Sequence, residues 1–280
     1  MKIDKKQKYF LFLLGFSILF FTLWIILFYS YWDLLTLAFN LSNDFIILFW
    51  FLILRISFFG IFSAYFFYKW FIQEVIYPSD AHFLFGLFFY IMMMGKINDI
   101  FIYNAIPPGV ISEEIIFVFM QIRYFLMTIA AFPLLYIGLE ALFMILGIYS
   151  RDITRKKINR LRFTVIFLLT LFVTILILLS PNYTFLIDAP IYPLLTGLAM
   201  LGIVVMFIYM YKKERLSQAH GFIVGIGFLL LIITSIASQF LIATTEEFFV
   251  LLTEILSAVV YVIILIGFLK KPKFAEQKNT

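Results

Sequence analysis

The chain has 280 residues, of which 64% are hydrophobic and 13% charged, with a formal net charge of +5 and a mean hydropathy of +1.08. Because an ordinary soluble domain is about half apolar and about a quarter charged, this composition excludes a soluble globular protein and any sizeable catalytic or nucleic-acid-binding domain outside a membrane. The absence of cysteine excludes disulfides, thiolate metal sites and thiol nucleophiles.

Long apolar runs predict the membrane spans. A hydrocarbon core about 30 Å thick needs about 20 apolar residues in a helix, and every backbone group inside it must be paired. Eight such runs follow one another, so we expect an all-α, polytopic transmembrane helical bundle that forms one membrane domain over residues 1–280. The predicted spans are residues 9–31, 45–68, 81–103, 115–150, 163–180, 191–211, 221–243 and 248–269, and a short basic tail follows at 270–280.

The fourth run is longer than one crossing requires. Its 36 residues, 115–150, would form a helix of about 54 Å. We expect either one long helix with a kink near Pro133, or an interfacial or re-entrant piece followed by a span from about Ala130. A second crossing here would move the basic residues that follow to the opposite side, so charge favours one crossing and eight helices in total, with seven as the alternative.

The distribution of lysine and arginine predicts the orientation. With the N-terminus inside, 18 of the 21 basic residues fall on cytoplasmic segments and none falls on an exterior loop. Cytoplasmic segments of membrane proteins carry such an excess. We therefore expect a multi-pass protein of the cell membrane with the N-terminus and C-terminus cytoplasmic.

The densest basic segment runs from Arg151 to Arg162, with the sequence RDITRKKINRLR. A cluster of this kind beside a span binds anionic lipid or an acidic partner protein on the cytoplasmic side. The orientation rule alone is the alternative explanation for it.

Six ionisable side chains fall within the predicted spans, and these are Arg55, Lys96, Asp99, Arg123, Glu140 and Glu254. Each costs about 2.5–3.5 kcal/mol to insert, so such groups face the bundle interior and need partners. Lys96 and Asp99 are three residues apart on one helical face and can pair locally.

The remaining intramembrane charges need partners from other helices. By depth, Glu140 is the predicted partner of Arg55, and Glu254 is the alternative. For Arg123, the alternative to an interior position is an anchor at the outer interface beside Glu113 and Glu114.

Polar side chains on the last two predicted helices complete a candidate site. Ser235, Ser238 and Gln239 form a polar strip on the seventh helix, and the short turn that follows brings Glu254 level with it. Together with the charges of the third helix, these groups predict a polar pocket in the outer half of the bundle that binds a small polar or anionic ligand. The alternative is a set of structural ion pairs that fixes helix packing.

The sequence contains no recognisable catalytic or metal-binding pattern. The two histidines, His82 and His220, fall at helix starts rather than at ligand spacing, and no H-E-x-x-H, Gly-rich phosphate loop or G-x-S-x-G occurs. We expect no catalytic residue, metal or cofactor, and the sequence favours a protein that is not an enzyme without deciding the question.

The architecture is similar to the membrane halves of multi-helix bacterial and archaeal sensors. This resemblance implies a receptor- or sensor-like bundle whose output passes to a partner on the basic cytoplasmic segments. A transporter or channel for a small solute or lipid, or an accessory subunit of a membrane complex, is the alternative. The nearly wholly apolar inner halves of the last four helices favour a pocket open on one side only.

Overall fold

A computed structural model describes residues 5–41, 43–105, 112–145, 155–182, 185–186, 191–214, 219–242, 247–272 and 274. Over that part of the chain the regular structure is entirely helical, as the sequence predicts. Its helices of ten or more residues are α1 (Lys5–Ser30), α2 (Trp32–Leu41), α3 (Asn43–Phe71), α4 (Ala81–Ala105), α5 (Glu113–Ile145), α6 (Arg155–Leu178), α7 (Ile191–Lys212), α8 (Gly221–Ile242) and α9 (Glu247–Leu269).

Six of these helices contain a segment long and apolar enough to cross a membrane, and they are α1, α3, α4, α5, α6 and α9. Helices α7 and α8 contribute shorter apolar segments, Ala199–Lys212 and Gly221–Ala237. The chain is therefore a helical membrane bundle. Each of the eight predicted spans overlaps one long helix, and α2 is a ten-residue helix in a segment that was predicted as a loop.

Helix α4 lies at the centre of the bundle. Of its most apolar segment, 89% is buried, compared with 6% for α1 and 22% for α6. A helix that is apolar on all sides is stable where other helices surround it. Helices α3, α5, α7, α8 and α9 pack around α4 and each other, while α1 and α6 lie at the periphery and expose apolar side chains.

One half of the bundle is filled by an aromatic cluster, which we define as Phe62, Phe66, Phe85, Phe89, Phe207, Phe228 and Phe268. Phe66 stacks on Phe89 with ring centroids 5.7 Å apart, and its edge contacts Phe268 at 4.8 Å. Phe85 contacts Phe207 and Phe228 at 6.1 and 6.0 Å. Rings from five helices thus fill the interior of this half of the bundle.

Contacts between helix ends show that consecutive long helices run in alternating directions. Lys6 at the start of α1 donates to the carbonyl oxygen of Phe71 at the end of α3, and His220 before α8 donates its backbone N–H to Gly267 near the end of α9 at 2.8 Å. This arrangement collects the exposed basic side chains at one end of the bundle, the basic end. The opposite, acidic end carries Asp33, Glu113 and Glu114.

Helix α5 is continuous for 33 residues with Pro133 inside it, which corresponds to about 50 Å. Of the alternatives for this segment, one long helix is therefore correct up to Ile145, while the kink near Pro133 stays a prediction and residues 146–150 lie outside the described residues. Helix α6 begins at Arg155, eight residues before the predicted start at Phe163. The predicted helix started where the apolar run starts. Lysine and arginine are good helix formers, so the helix already begins in the basic residues that precede that run.

Helices α5 and α7 cross at a contact between two glycines. A Cβ on Gly202 would lie 2.9 Å from the Cα of Gly138, and a Cβ on Gly138 would lie 3.1 Å from the carbonyl oxygen of Ala199. Small residues allow helix backbones to approach this closely in a membrane. The crossing fixes the middle of α7 against the half of α5 nearer the basic end.

Candidate functional site

Five charged side chains in the interior form one continuous ionic cluster, consisting of Arg55, Lys96, Asp99, Arg123 and Glu254. They come from four helices, α3, α4, α5 and α9, and positive and negative charges alternate along the series. All five were among the predicted site residues. The structure therefore brings together side chains that lie up to 199 positions apart in sequence.

The carboxylate of Glu254 accepts from two cations on different helices. Its Oε2 pairs with Nη1 of Arg55, and its Oε1 lies 3.0 Å from Nζ of Lys96. Because each oxygen has its own partner, one residue of α9 is tied to both α3 and α4. Charge-assisted hydrogen bonds of this type are stronger than neutral ones.

Asp99 continues the series towards α5. Its Oδ2 lies 2.7 Å from Nζ of Lys96, one helical turn away, and its Oδ1 lies 3.0 Å from Nε of Arg123. The predicted local pair of Lys96 and Asp99 is confirmed. Arg123 lies in the interior, so the alternative of an anchor beside Glu113 and Glu114 is wrong; it failed because the position of Arg123 along α5 brings it level with Asp99.

Burial differs between the members of the cluster. The side chains of Asp99, Lys96 and Glu254 are 1%, 5% and 5% exposed, whereas those of Arg55 and Arg123, at the two ends of the series, are 10% and 14% exposed. A charge removed from water depends on its partners for stabilisation, so the three inner groups depend most strongly on one another. Arg123 is the member of the cluster that is most open to a ligand.

Two further groups lie against the cluster. Asn98, fully buried beside Asp99, donates its amide N–H to the carbonyl oxygen of Phe119 at 3.0 Å, and its Oδ1 has no hydrogen-bond partner among the described residues. The guanidinium of Arg55 lies over the ring of Tyr261, with Cζ 5.4 Å from the ring centroid. A cation over an aromatic face is attracted by the ring quadrupole.

The cluster lies in the half of the bundle nearer the acidic end. Glu254 is seven residues from the start of α9, and Arg123 is ten residues from the start of α5. At 1.5 Å per residue these positions are about 10 and 15 Å from their helix ends. The aromatic cluster occupies the other half, so charges and rings divide the interior between them.

The predicted pair of Arg55 and Glu140 is wrong. Arg55 pairs with Glu254, which was the alternative, and Glu140 lies towards the basic end, where its Oε2 is 3.0 Å from Nη1 of Arg162. The depth estimate failed because it began the crossing of α5 near Ala130, whereas α5 begins at Glu113 and carries Glu140 almost to its end. Glu140 is 44% exposed and does not belong to the cluster.

Sequence reasoning missed the role of Arg162. It was assigned to the exposed basic segment, but it is buried, its Cζ lies 3.9 Å from the ring centroid of Tyr136, and its Nη2 donates to Oδ1 of Asn159. The sequence did contain one indication of this. Arg162 directly precedes the apolar run that begins at Phe163, and a residue in that position belongs to the helix rather than to the loop before it. Among the other basic residues of the segment, Lys156, Lys157 and Arg160 are exposed, whereas the side chain of Arg155 and residues 151–154 lie outside the described part.

The predicted polar strip on the seventh span maps onto α8. Ser235 is half-buried there, and the side chains of Ser238 and Gln239 are outside the described residues. The ligand pocket that these residues were expected to line therefore remains a prediction. Ser257, one turn from Glu254 on α9, is buried.

Within the described part of the chain, no three His, Cys, Asp or Glu side chains are arranged to hold a metal ion. His82 contacts Asp80 through Nδ1 and Oδ1 at 3.3 Å, which is a local interaction at the start of α4. Chemically, the ionic cluster can bind an anion or hold helices together. Comparison with protein-family models, curated proteins and solved structures found no match for this chain.

Proposed function

We propose that the protein is a receptor- or sensor-like bundle of the cell membrane, with its basic end and both termini in the cytoplasm, and that the ionic cluster binds a small anion from outside. The orientation follows the distribution of lysine and arginine, 18 of which fall on the segments assigned to the inside. In this orientation the cluster lies in the outer half of the membrane.

The observation that carries the proposal is the charge balance of the cluster. Counted over the described members of the cluster alone, three cations share two carboxylates, which gives the cluster itself a formal charge of +1 in a buried environment. Such a charge is costly inside a membrane, and a bound anion would neutralise it. Arg123 is the favoured ligand contact because it is the most exposed member, and its guanidinium suits the geometry of a carboxylate or phosphate.

Helix α5 offers a route from this site to the cytoplasmic side. Arg123 and Glu140 are 17 residues apart on the same helix, about 26 Å, and Glu140 pairs with Arg162 at the beginning of α6. A ligand that competes with Asp99 for Arg123 would change how α5 packs against α4. The exposed side chains of Lys156 and Lys157 would then carry the change to a partner or to anionic lipid, as one rigid helix moves against another.

The aromatic cluster supports a receptor rather than a transporter. A transport pathway needs polar groups on both sides of the binding site, and here buried and partly buried rings from five helices occupy the half nearer the basic end. A transporter of a small solute or lipid is therefore the second candidate. It would require the rings of Phe66 and Phe85 to separate during each cycle.

Thermal unfolding of the purified protein in neutral detergent tests the site. Acetate, succinate and inorganic phosphate are titrated at constant ionic strength, and we expect at least one to raise the midpoint in a saturable way, because a ligand of the folded state stabilises it. Arg123→Gln should abolish the shift, whereas Lys69→Gln, an exposed lysine at the basic end, should retain it. No shift with any of the three anions, or an equal shift in Arg123→Gln, would overturn the proposal.

Reconstitution into liposomes separates the two candidates. A receptor should give no uptake of the stabilising anion above that of protein-free liposomes. Uptake that depends on the protein and is lost in Arg123→Gln would establish transport and reject the sensor.

A further inference from the structure

A cavity of about 310 Å³ lies between α1, α3 and α4, away from the ionic cluster. Its wall on α1 is formed by Phe10, Leu13, Leu14 and Ser17, which share one helical face. The facing wall belongs to α3 and α4, and it is apolar apart from a few hydroxyl groups. The cavity lies in the half of the bundle nearer the basic end, where α1 begins.

Contacts between helix α1 and the bundle lie on either side of this cavity. At one end Tyr9 contacts Trp70 edge-on, with centroids 5.5 Å apart, and at the other the hydroxyl groups of Ser17 and Tyr90 lie 2.7 Å apart. Between them no side chain of the bundle fills the space beside Ala64. An apolar space at membrane depth is occupied most favourably by hydrocarbon, because polar molecules would lose their hydrogen bonds there.

The mouth of the cavity at the basic end is positively charged. Lys6 lies on the same face of α1 as the lining residues, one turn before Phe10, and its Nζ donates to the carbonyl oxygens of Phe71 and Gln73 at 3.2 and 2.5 Å. An ammonium has three donors, so these two bonds leave one for an anion. Lys8 and Lys69 are exposed within two residues of lining residues.

We propose that this cavity binds one acyl chain of an anionic phospholipid from the leaflet at the basic end, with the lipid phosphate beside Lys6. The apolar walls match the chain, and the lysines at the mouth match the charge of the headgroup. The lipid completes the contact between α1 and the rest of the bundle. This inference rests on the cavity and the lysines and is independent of ligand binding at Arg123.

The test follows the thermal midpoint of the protein purified in neutral detergent during titration with lipid. Phosphatidylglycerol should raise the midpoint and half-saturate at about tenfold lower concentration than phosphatidylcholine with the same acyl chains, which corresponds to one extra charge-assisted contact. Inorganic phosphate, which lacks the chain, should give no shift in Arg123→Gln, where binding at the ionic cluster does not contribute to the midpoint. Equal half-saturation by the two lipids, or the full effect with phosphate alone in Arg123→Gln, would overturn the proposal.

Cavity-filling variants locate the lipid. Ala64→Trp places an indole in the cavity, and Ile61→Trp, an exposed position of the same helix that does not line the cavity, is its matched control. The lipid shift should be lost in Ala64→Trp and kept in Ile61→Trp. If Ala64→Trp fails to fold, Leu14→Trp on the loosely packed α1, with Ile18→Trp as its control, replaces it.

The headgroup contact is tested by Lys6→Gln. This variant should bind phosphatidylglycerol with the half-saturation of phosphatidylcholine and leave the effect of phosphatidylcholine unchanged. A full lipid shift in all cavity-filling variants would place the lipid elsewhere and reject the site. Since Arg123→Gln leaves this cavity intact, it should keep the lipid shift, and the outcome for one site does not decide the other.

Discussion

Arg55 and Lys96, which lie on different helices, bind opposite oxygens of the single carboxylate of Glu254. This shared anion joins α3, α4 and α9 at one level of the membrane. The two cations would repel each other without it, so Glu254 is the residue on which the inner part of the ionic cluster depends. Its position also explains why α9 returns to pack beside α3, its distant neighbour in sequence.

Replacing Glu254 by glutamine should destabilise the fold strongly. The neutral amide leaves the three cations of the cluster with one carboxylate, that of Asp99, and removal of one partner from a buried pair costs about 3–5 kcal/mol. The midpoint of thermal unfolding in detergent measures the loss. Glu114→Gln, an exposed change at the acidic end, is the control and should shift stability by less than about 0.5 kcal/mol.

A double mutant separates the Arg55–Glu254 pair from general damage to the interior. Arg55→Leu with Glu254→Leu removes both charges, so it should be less destabilised than the sum of the two single changes by about 0.5–3 kcal/mol. Strict additivity would show that these two residues do not interact.

The charges of the interior could be predicted from sequence, but their partners only in part. Ionisable residues in apolar runs are conspicuous, and the i, i+3 spacing of Lys96 and Asp99 contains the information for their pairing. The pair of Arg55 and Glu254 joins helices far apart in sequence. Which helix faces meet is decided by packing around α4, and hydropathy carries no record of it.

Each predicted span overlaps a long helix, and six of those helices contain a segment long and apolar enough to cross a membrane, because hydrophobicity over about 20 residues is a strong signal. The wrong predictions concern short helices and helix ends, which lie outside the long apolar runs. Helix α2 has only ten residues, and Arg162 occupies the last turn before an apolar run, where a basic residue is expected in water. Its burial between Glu140 and Tyr136 depends on which faces of α5 and α6 meet, and the composition of the two helices carries no information about that.

Arg162→Lys should destabilise the fold although the variant keeps the positive charge. A lysine loses the planar contact with Tyr136 at 3.9 Å and the fork that reaches Asn159, so we expect a loss of about 1–2 kcal/mol. Arg160→Lys, on the exposed side of α6, should have no measurable effect. Glu140→Gln should cost less than about 1 kcal/mol, since that carboxylate is half-exposed. The reverse order of these effects would place the stabilising contact on Glu140 instead of the ring.

The α5–α7 crossing should reject even one methyl group at Gly202. The added Cβ would lie 2.9 Å from the backbone of Gly138, and overpacking of this kind costs about 1–3 kcal/mol. Gly15→Ala in α1 is the matched control, because a Cβ there meets nothing within 4 Å and alanine favours a helix by about 0.5–1 kcal/mol. Chemical or thermal unfolding of the two variants should therefore move in opposite directions. Equal behaviour would show that the two glycines do not form the close contact.

The orientation can be measured by cysteine labelling, because the native chain has no cysteine and gives no background. Glu114 at the start of α5 and Lys157 at the start of α6 are exposed and lie at opposite ends of the bundle. With the basic end in the cytoplasm, Glu114→Cys should react with a membrane-impermeant maleimide in intact cells. Lys157→Cys should react only after the cells are permeabilised. Labelling of Lys157→Cys from outside would invert the bundle, place the ionic cluster in the inner leaflet and exclude a ligand that arrives from outside.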